Sequence, residues 1–194
     1  MTNPGRTSDV MLLITYSLRA GADARGYDDW LRRVDNPFFN AADCIAHYSN
    51  WKLTIGPDAF APHTHFDLVA LPDLESLDAA WNDPGLNDFR REWRRLWAIE
   101  DPTDPAADIQ TCLCERVARS DMAWSDHLVL VPTARAEVVK GWDTWHVVRS
   151  LRGMPLGFDA FRIRFHAPGE AVDPRHANTN GETMATCIAA PADG

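Results

Sequence analysis

Cysteine is scarce, long apolar runs are absent, and positive charge is in deficit. Four cysteines in 194 residues (Cys44, Cys112, Cys114 and Cys187) are too few for a disulfide framework. They read as small buried hydrophobes in a reducing compartment, so a cytoplasmic location is expected. The longest apolar runs, residues 10–14 and 128–131, are far too short to span a bilayer, which argues against a membrane partner. The opening stretch MTNPGRTSDVMLLITYS does not read as a secretory signal, since its apolar part is short, strand-like and lacks a small-residue cleavage site. Lys and Arg total 19 against 28 Asp and Glu, a formal net charge of −9. Such a chain lacks the footprint of a protein that neutralises phosphates, so nucleic acid is not an expected partner. Neither low-complexity tracts nor an internal repeat is evident. What is abundant is indole: eight tryptophans, enough to serve a core and also to line a pocket for a flat apolar ligand.

Punctuation divides the chain. Residues 10–18 (VMLLITYSL) form a β-rich run, followed by a helical pattern with Tyr27, Trp30, Leu31 and Val34 on one face. That helix is expected to stop at Asp35-Asn36-Pro37, because the residue before proline is pushed out of the α region. Residues 44–55 and 65–71 read as strands. Residues 74–98 read as a helix in two pieces, with Asp83-Pro84 as N-cap and first-turn proline at the joint. Residues 109–117 make a fourth strand. The order β-α-β-β-α-β is a ferredoxin-like unit: an antiparallel sheet with two helices on one face and the other face open. Two such sheets packing face to face in a homodimer would cover it. Residues 1–118 are therefore read as one α+β domain and 119–194 as an extension packing on it, or a degenerate second unit. Within the extension, residues 127–132, 158–166 and 183–190 are strand-like, while 136–151 reads as a helix or as a strand pair turning at Lys140-Gly141.

The residues with most chemical potential cluster at His63-Thr64-His65-Phe66-Asp67. Alternation on a strand projects His63, His65 and Asp67 together, and a hairpin with the preceding strand would bring His47 near them. Two chemistries follow. Imidazole titrates near neutral pH and suits acid/base work, whereas His47, His63 and His65 together could ligate a divalent transition metal. Hydrogen-bonded structural histidines are the plain alternative. Asp35 either terminates its helix or places a carboxylate at a cavity mouth. Tyr16, Tyr48 and Asn50 could bind a phenol or carbonyl, or be ordinary core. Arg162 and Arg164 share a strand face with His166 and could pair with an acidic substrate, or simply be solvated. Trp145 and His146 would supply an aromatic wall nearby, with Trp51 on the His47 face of its own strand.

The segments YDDWLRRVDNP, CIAHYSNWKL and FDLVALPDLESLDAAWNDPGLNDF resemble the dimeric α+β barrel superfamily. Within it the pattern is similar to EthD-like and HapK (RedY)-like proteins over about residues 10–117. Asp35 stands where EthD-like members usually carry His. The resemblance implies a ferredoxin-like α+β core in a homodimeric barrel, with a pocket between sheet and helices. It implies chemistry, mostly without cofactors, on aromatic or polyketide-like molecules; some branches bind haem, but no histidine stands clearly on the second long helix here.

The expectation is therefore a cofactor-independent lyase or isomerase acting on a phenolic small molecule, with or without a carboxylate. His47, His65, Asp35 and Tyr48 are its catalytic candidates; Tyr16, Trp51, Arg162, Arg164, Trp145 and His146 are its substrate contacts. A His47/His63/His65 metalloenzyme and a non-catalytic binding or stress protein of the same fold are the alternatives.

Overall fold

Alternation along the first strand sorts its side chains into two environments, and this sorting governs the whole molecule. The computed structural model describes residues 8–55, 60–121, 125–166 and 183–191. Strand β1 (Val10–Tyr16) sends Met11 and Leu13 to one face and Leu12, Ile14 and Tyr16 to the other. It pairs antiparallel with β3 (His65–Leu71) and β4 (Gln110–Ala118), and β3 pairs with β2 (His47–Ile55). The described part of the extension supplies β5 (His127–Thr133), β6 (Asp143–Arg152), β7 (Ala160–Phe165) and β8 (Thr183–Ala189). The ambiguous stretch 136–151 thus contains most of a strand, entered by a turn in which Gly141 takes φ 81°, a left-handed value that glycine adopts without penalty.

All eight strands close into one antiparallel barrel in the order β1-β3-β2-β8-β5-β7-β6-β4. Going round it, β4-β1-β3-β2 is followed by β8-β5-β7-β6, the same order with every index raised by four. The seams are β2–β8 and β4–β6. Every strand contributes to the barrel interior, which holds Met11, Leu13, Trp51, Phe66, Leu68, Cys112, Cys114, Leu128, Leu130, Trp145, Phe161, Ile163, Phe165 and Ala185. The sheet face expected to need a partner subunit is covered by the chain's own β5–β8. A repeat invisible in the residue sequence is thus visible in the strand order.

The helices lie outside the barrel. The first does not stop at Pro37. Helix α1 (Tyr27–Trp30) widens into a π-turn (Leu31–Asp35), and α2 (Asn36–Asn40) continues from it. Pro37 then falls in the first turn of α2, where its missing N–H costs nothing. The π-turn leaves Asp35 and Asn36 buried side by side against the sheet. Helices α3 (Ser76–Asn82) and α4 (Pro84–Trp97) meet at Asp83, whose carboxylate accepts the Leu86 N–H at 2.7 Å, the N-cap read from the sequence. No helix among the described residues is long and apolar enough to cross a membrane.

If the closed interior is the structural core, Trp51→Ala and Phe161→Ala, both at fully buried positions, should each lower unfolding free energy by about 3–5 kcal/mol. Urea denaturation reads this directly. A loss under about 1 kcal/mol at both positions would contradict a packed interior.

Candidate functional site

With the barrel interior filled by apolar side chains, the cavity lies on the opposite face of the sheet. It occupies about 300 Å³ between β1–β4 and the helices. Leu12, Ile14, Tyr16, Tyr48, Asp67, Val69 and Thr111 form its floor from the strands. Asp35 and Phe39 come from the first helical segment, and Trp81, Asn87, Arg90, Trp93 and Arg94 from α3 and α4; Arg152 reaches in from β6.

Its polar end is a closed network. The Tyr16 hydroxyl donates to Asp67 Oδ1 at 3.1 Å and the Tyr48 hydroxyl to Asp67 Oδ2 at 3.0 Å. Asn50 Nδ2 lies 2.9 Å from Asp67 Oδ1, 3.1 Å from Asp35 Oδ2 and 2.8 Å from the Tyr48 hydroxyl. Its orientation is fixed by Asn36, whose amide donates to Asn50 Oδ1 at 3.1 Å. Behind Tyr16, Trp93 donates to the Tyr27 hydroxyl at 3.2 Å, and Tyr27 donates to the Tyr16 hydroxyl at 3.1 Å. This chain of donors points one way and ends on Asp67.

Two carboxyl groups in one buried cluster cannot both ionise cheaply. Burial raises the Asp67 pKa to about 7, against the opposing pull of Asn50, Tyr48 and Tyr16. Burial, reinforced by the charge of Asp67, raises Asp35 well above the ordinary carboxylate range. Near neutral pH one group holds its proton and the other is poised to exchange one, the pattern by which a site separates an acid from a base.

Of the expected site residues, the structure brings Asp35, Tyr16 and Tyr48 to the cavity, with Asn50 beside them. His47 is not among its lining residues. Adjacent strand residues face opposite ways, so His47 and Tyr48 cannot serve one cavity; His47 shares its face with Ser49 and Trp51. Burial lowers its pKa to about 4. His65 is on the correct face but packs behind the phenols, stacked on Tyr16 at 5.6 Å and edge-on to Tyr27 at 5.8 Å. Its pKa is likewise lowered to about 4, chiefly by burial. His63 is held by Thr15 Oγ1 at 2.8 Å and the Asp108 carbonyl at 3.0 Å. The three histidines do not converge, and no cluster of three or more His, Cys, Asp or Glu side chains suited to a metal occurs among the described residues.

Trp51 and Trp145 lie in the barrel interior, with the Arg116 guanidinium 4.2 Å over the Trp145 ring. His146 is exposed, and Arg162 and Arg164 stack on Trp142 at 5.7 and 5.0 Å, all away from the cavity. The cations that do line the cavity are Arg90, Arg94 and Arg152. Helical spacing of Arg90, Trp93 and Arg94 was the available signal for the first two.

The sequence matches the family described as REDY-like protein HapK over residues 10–106, half of the chain and the part that supplies most of the lining of this cavity. The chain belongs to the HapK family. No protein of curated function matches it. Among solved structures, a proposed monooxygenase from Fusobacterium nucleatum is 7% identical with TM-score 0.51, covering 95% of this chain and 94% of that one. Another from Lactobacillus acidophilus is 7% identical with TM-score 0.50, covering 95% and 96%. An anthrone oxidase-like protein is 10% identical with TM-score 0.49, covering 95% and 93%. The first two likenesses extend the fold of this HapK-family chain beyond the matched half, through β5–β8.

The raised Asp67 pKa has a consequence for stability. Between pH 3.8 and about 7 the folded chain holds a proton at Asp67 that the unfolded chain releases, so this group costs stability as pH rises through that window. The lowered pKa of His47 and His65 acts oppositely between about 4 and 6.5, where stability falls with acid. The Tm of Asp67→Asn relative to the parent should therefore rise from pH 4 to pH 7, by an increment worth on the order of 4 kcal/mol across the window. Paired thermal melts across that range test this; a variant equally destabilised at every pH would contradict it.

Proposed function

We propose that this cavity performs cofactor-independent acid/base catalysis on a phenolic small molecule, of the lyase or isomerase (cyclase) type. The observation that carries the reading is the buried Asp35–Asn50–Asp67 cluster, with phenols Tyr16 and Tyr48 on its open side and Trp81, Trp93 and Phe39 flanking the cavity. A planar ring fits between such walls, and its hydroxyl replaces water at the Asp67 end.

Ionised Asp67 takes the phenolic proton. The phenolate pushes electron density to the ring carbon para to it, and protonated Asp35 delivers a proton there. The exocyclic C–C bond then breaks: a hydroxymethyl group returns its O–H proton to the Asp35 carboxylate as formaldehyde leaves, whereas a carboxylate leaves as CO₂ and Asp35 is reprotonated from solvent. The ring regains aromaticity as phenolate and recovers its proton from Asp67. Ring closure of an enolisable polyketide-like chain needs the same two groups. Tyr48 orients the phenol, and Tyr16 tunes Asp67. His65 acts at one remove, holding Tyr16 by stacking.

Removing a placed acid or base costs about a hundred- to ten-thousand-fold in rate. Asp67→Asn and Asp35→Asn should show that loss in an NMR assay of ring-proton exchange, CO₂ release and formaldehyde release from 4-hydroxybenzoate and 4-hydroxybenzyl alcohol, while His47→Ala stays within about threefold. Loss of turnover in His47→Ala with full rate in Asp67→Asn would contradict the assignment.

We also propose that one chain is the working unit, because the face expected to drive a ferredoxin-like dimer is occupied by β5–β8. Light scattering should return 21.7 kDa; a stable species of twice that mass would contradict it.

A further inference from the structure

Three cations line the cavity that the proton transfer does not use. Arg90 and Arg94, one helical turn apart on α4, and Arg152 on β6 all line it. The chain as a whole is strongly acidic, yet among the described residues no carboxylate lies within ion-pair distance of any of these three. Arg94 Nη2 is enclosed and has no acceptor. Arg90 is fixed in place by neutral groups: Nη2 donates to the Ala80 carbonyl at 2.9 Å, and Nη1 donates to Asn87 Oδ1 at 3.0 Å and to the Trp81 carbonyl at 3.5 Å. Burial lowers both the Arg90 and Arg94 pKa values, and the more distant charges of Asp83 on Arg90 and Asp108 on Arg94 offset only part of that. A buried guanidinium donor without an acceptor is expensive, and a ligand oxyanion supplies what is missing.

We infer that Arg94, supported by Arg90 and Arg152, forms an anion subsite that binds a carboxylate on the far end of the aromatic substrate. The inference rests on the aromatic reading of the cavity and narrows it to hydroxy-aromatic acids. The ligand then lies with its hydroxyl toward Asp67, its ring beside Trp93, and its carboxylate toward α4. The arginines select and orient, while the aspartates carry the proton chemistry.

Isothermal titration of the full chain with 6-hydroxy-2-naphthoic acid and with 2-naphthol separates the two ideas. The acid should bind about tenfold to a hundredfold more tightly than the naphthol, the worth of one or two charge-assisted hydrogen bonds. Arg94→Gln should remove most of that preference while naphthol affinity is kept, which also shows that the variant folds. Asp67→Asn should leave the preference for the acid in place. Equal affinity for the two probes overturns the anion subsite but leaves the aromatic cavity standing. Binding of neither probe overturns the aromatic reading and the subsite with it. A preference that survives both Arg94→Gln and Arg152→Gln overturns the assignment to these arginines.

Discussion

The closed barrel interior is the constraint on which everything else depends. Eight strands send their inward residues into a space filled by Trp51, Trp145, Phe66, Phe161 and their neighbours. That space is lined by apolar side chains, so the acid/base groups of the cavity come from the outward residues. On β1–β4 those residues meet the helices, and the two layers part around a cavity. Strand alternation therefore decides not only which side chains are core but which can ever be functional.

A second constraint follows on the outer face. Packing helices over a sheet desolvates whatever the strands present there, and β2 and β3 present Asn50 and Asp67. The π-turn adds Asp35 from above. A buried carboxyl pair costs folding free energy, and the surrounding Tyr, Asn and Trp donors offset only part of that cost. Retaining such a pair beside an open cavity is the arrangement expected where proton transfer is the purpose rather than stability.

Much of this was legible in the residue order. Alternation located β1–β4, the Asp83-Pro84 joint located the break before α4, and the resemblance pointed to a pocket between sheet and helices. Asp35 reads as a carboxylate at the cavity mouth, and Tyr16 and Tyr48 as phenols on strands able to bind a phenol or carbonyl. His47 misled because the sequence shows two histidine-bearing strands but not their register: Asn50, not His47, lies opposite Asp67. The H-x-H pattern drew weight away from Asp67, two residues further along the same face. Arg162 and Arg164 carry the local charge signal, whereas the arginines that reach the cavity come from α4 and from the barrel seam at β6. The role of β5–β8 was hidden because strand order, unlike strand presence, is a property of long-range pairing.

The most direct test is the ionisation of the aspartate pair itself. Carboxyl ¹³C NMR titration of the full chain, with Asp35 and Asp67 assigned through their Asn variants, follows each group separately. The account predicts that Asp67 titrates near 7 and that Asp35 keeps its proton well above the ordinary carboxylate range. Ordinary titration of both groups near 3.8 would mean two solvated carboxylates, and the acid/base reading of the cavity would be contradicted.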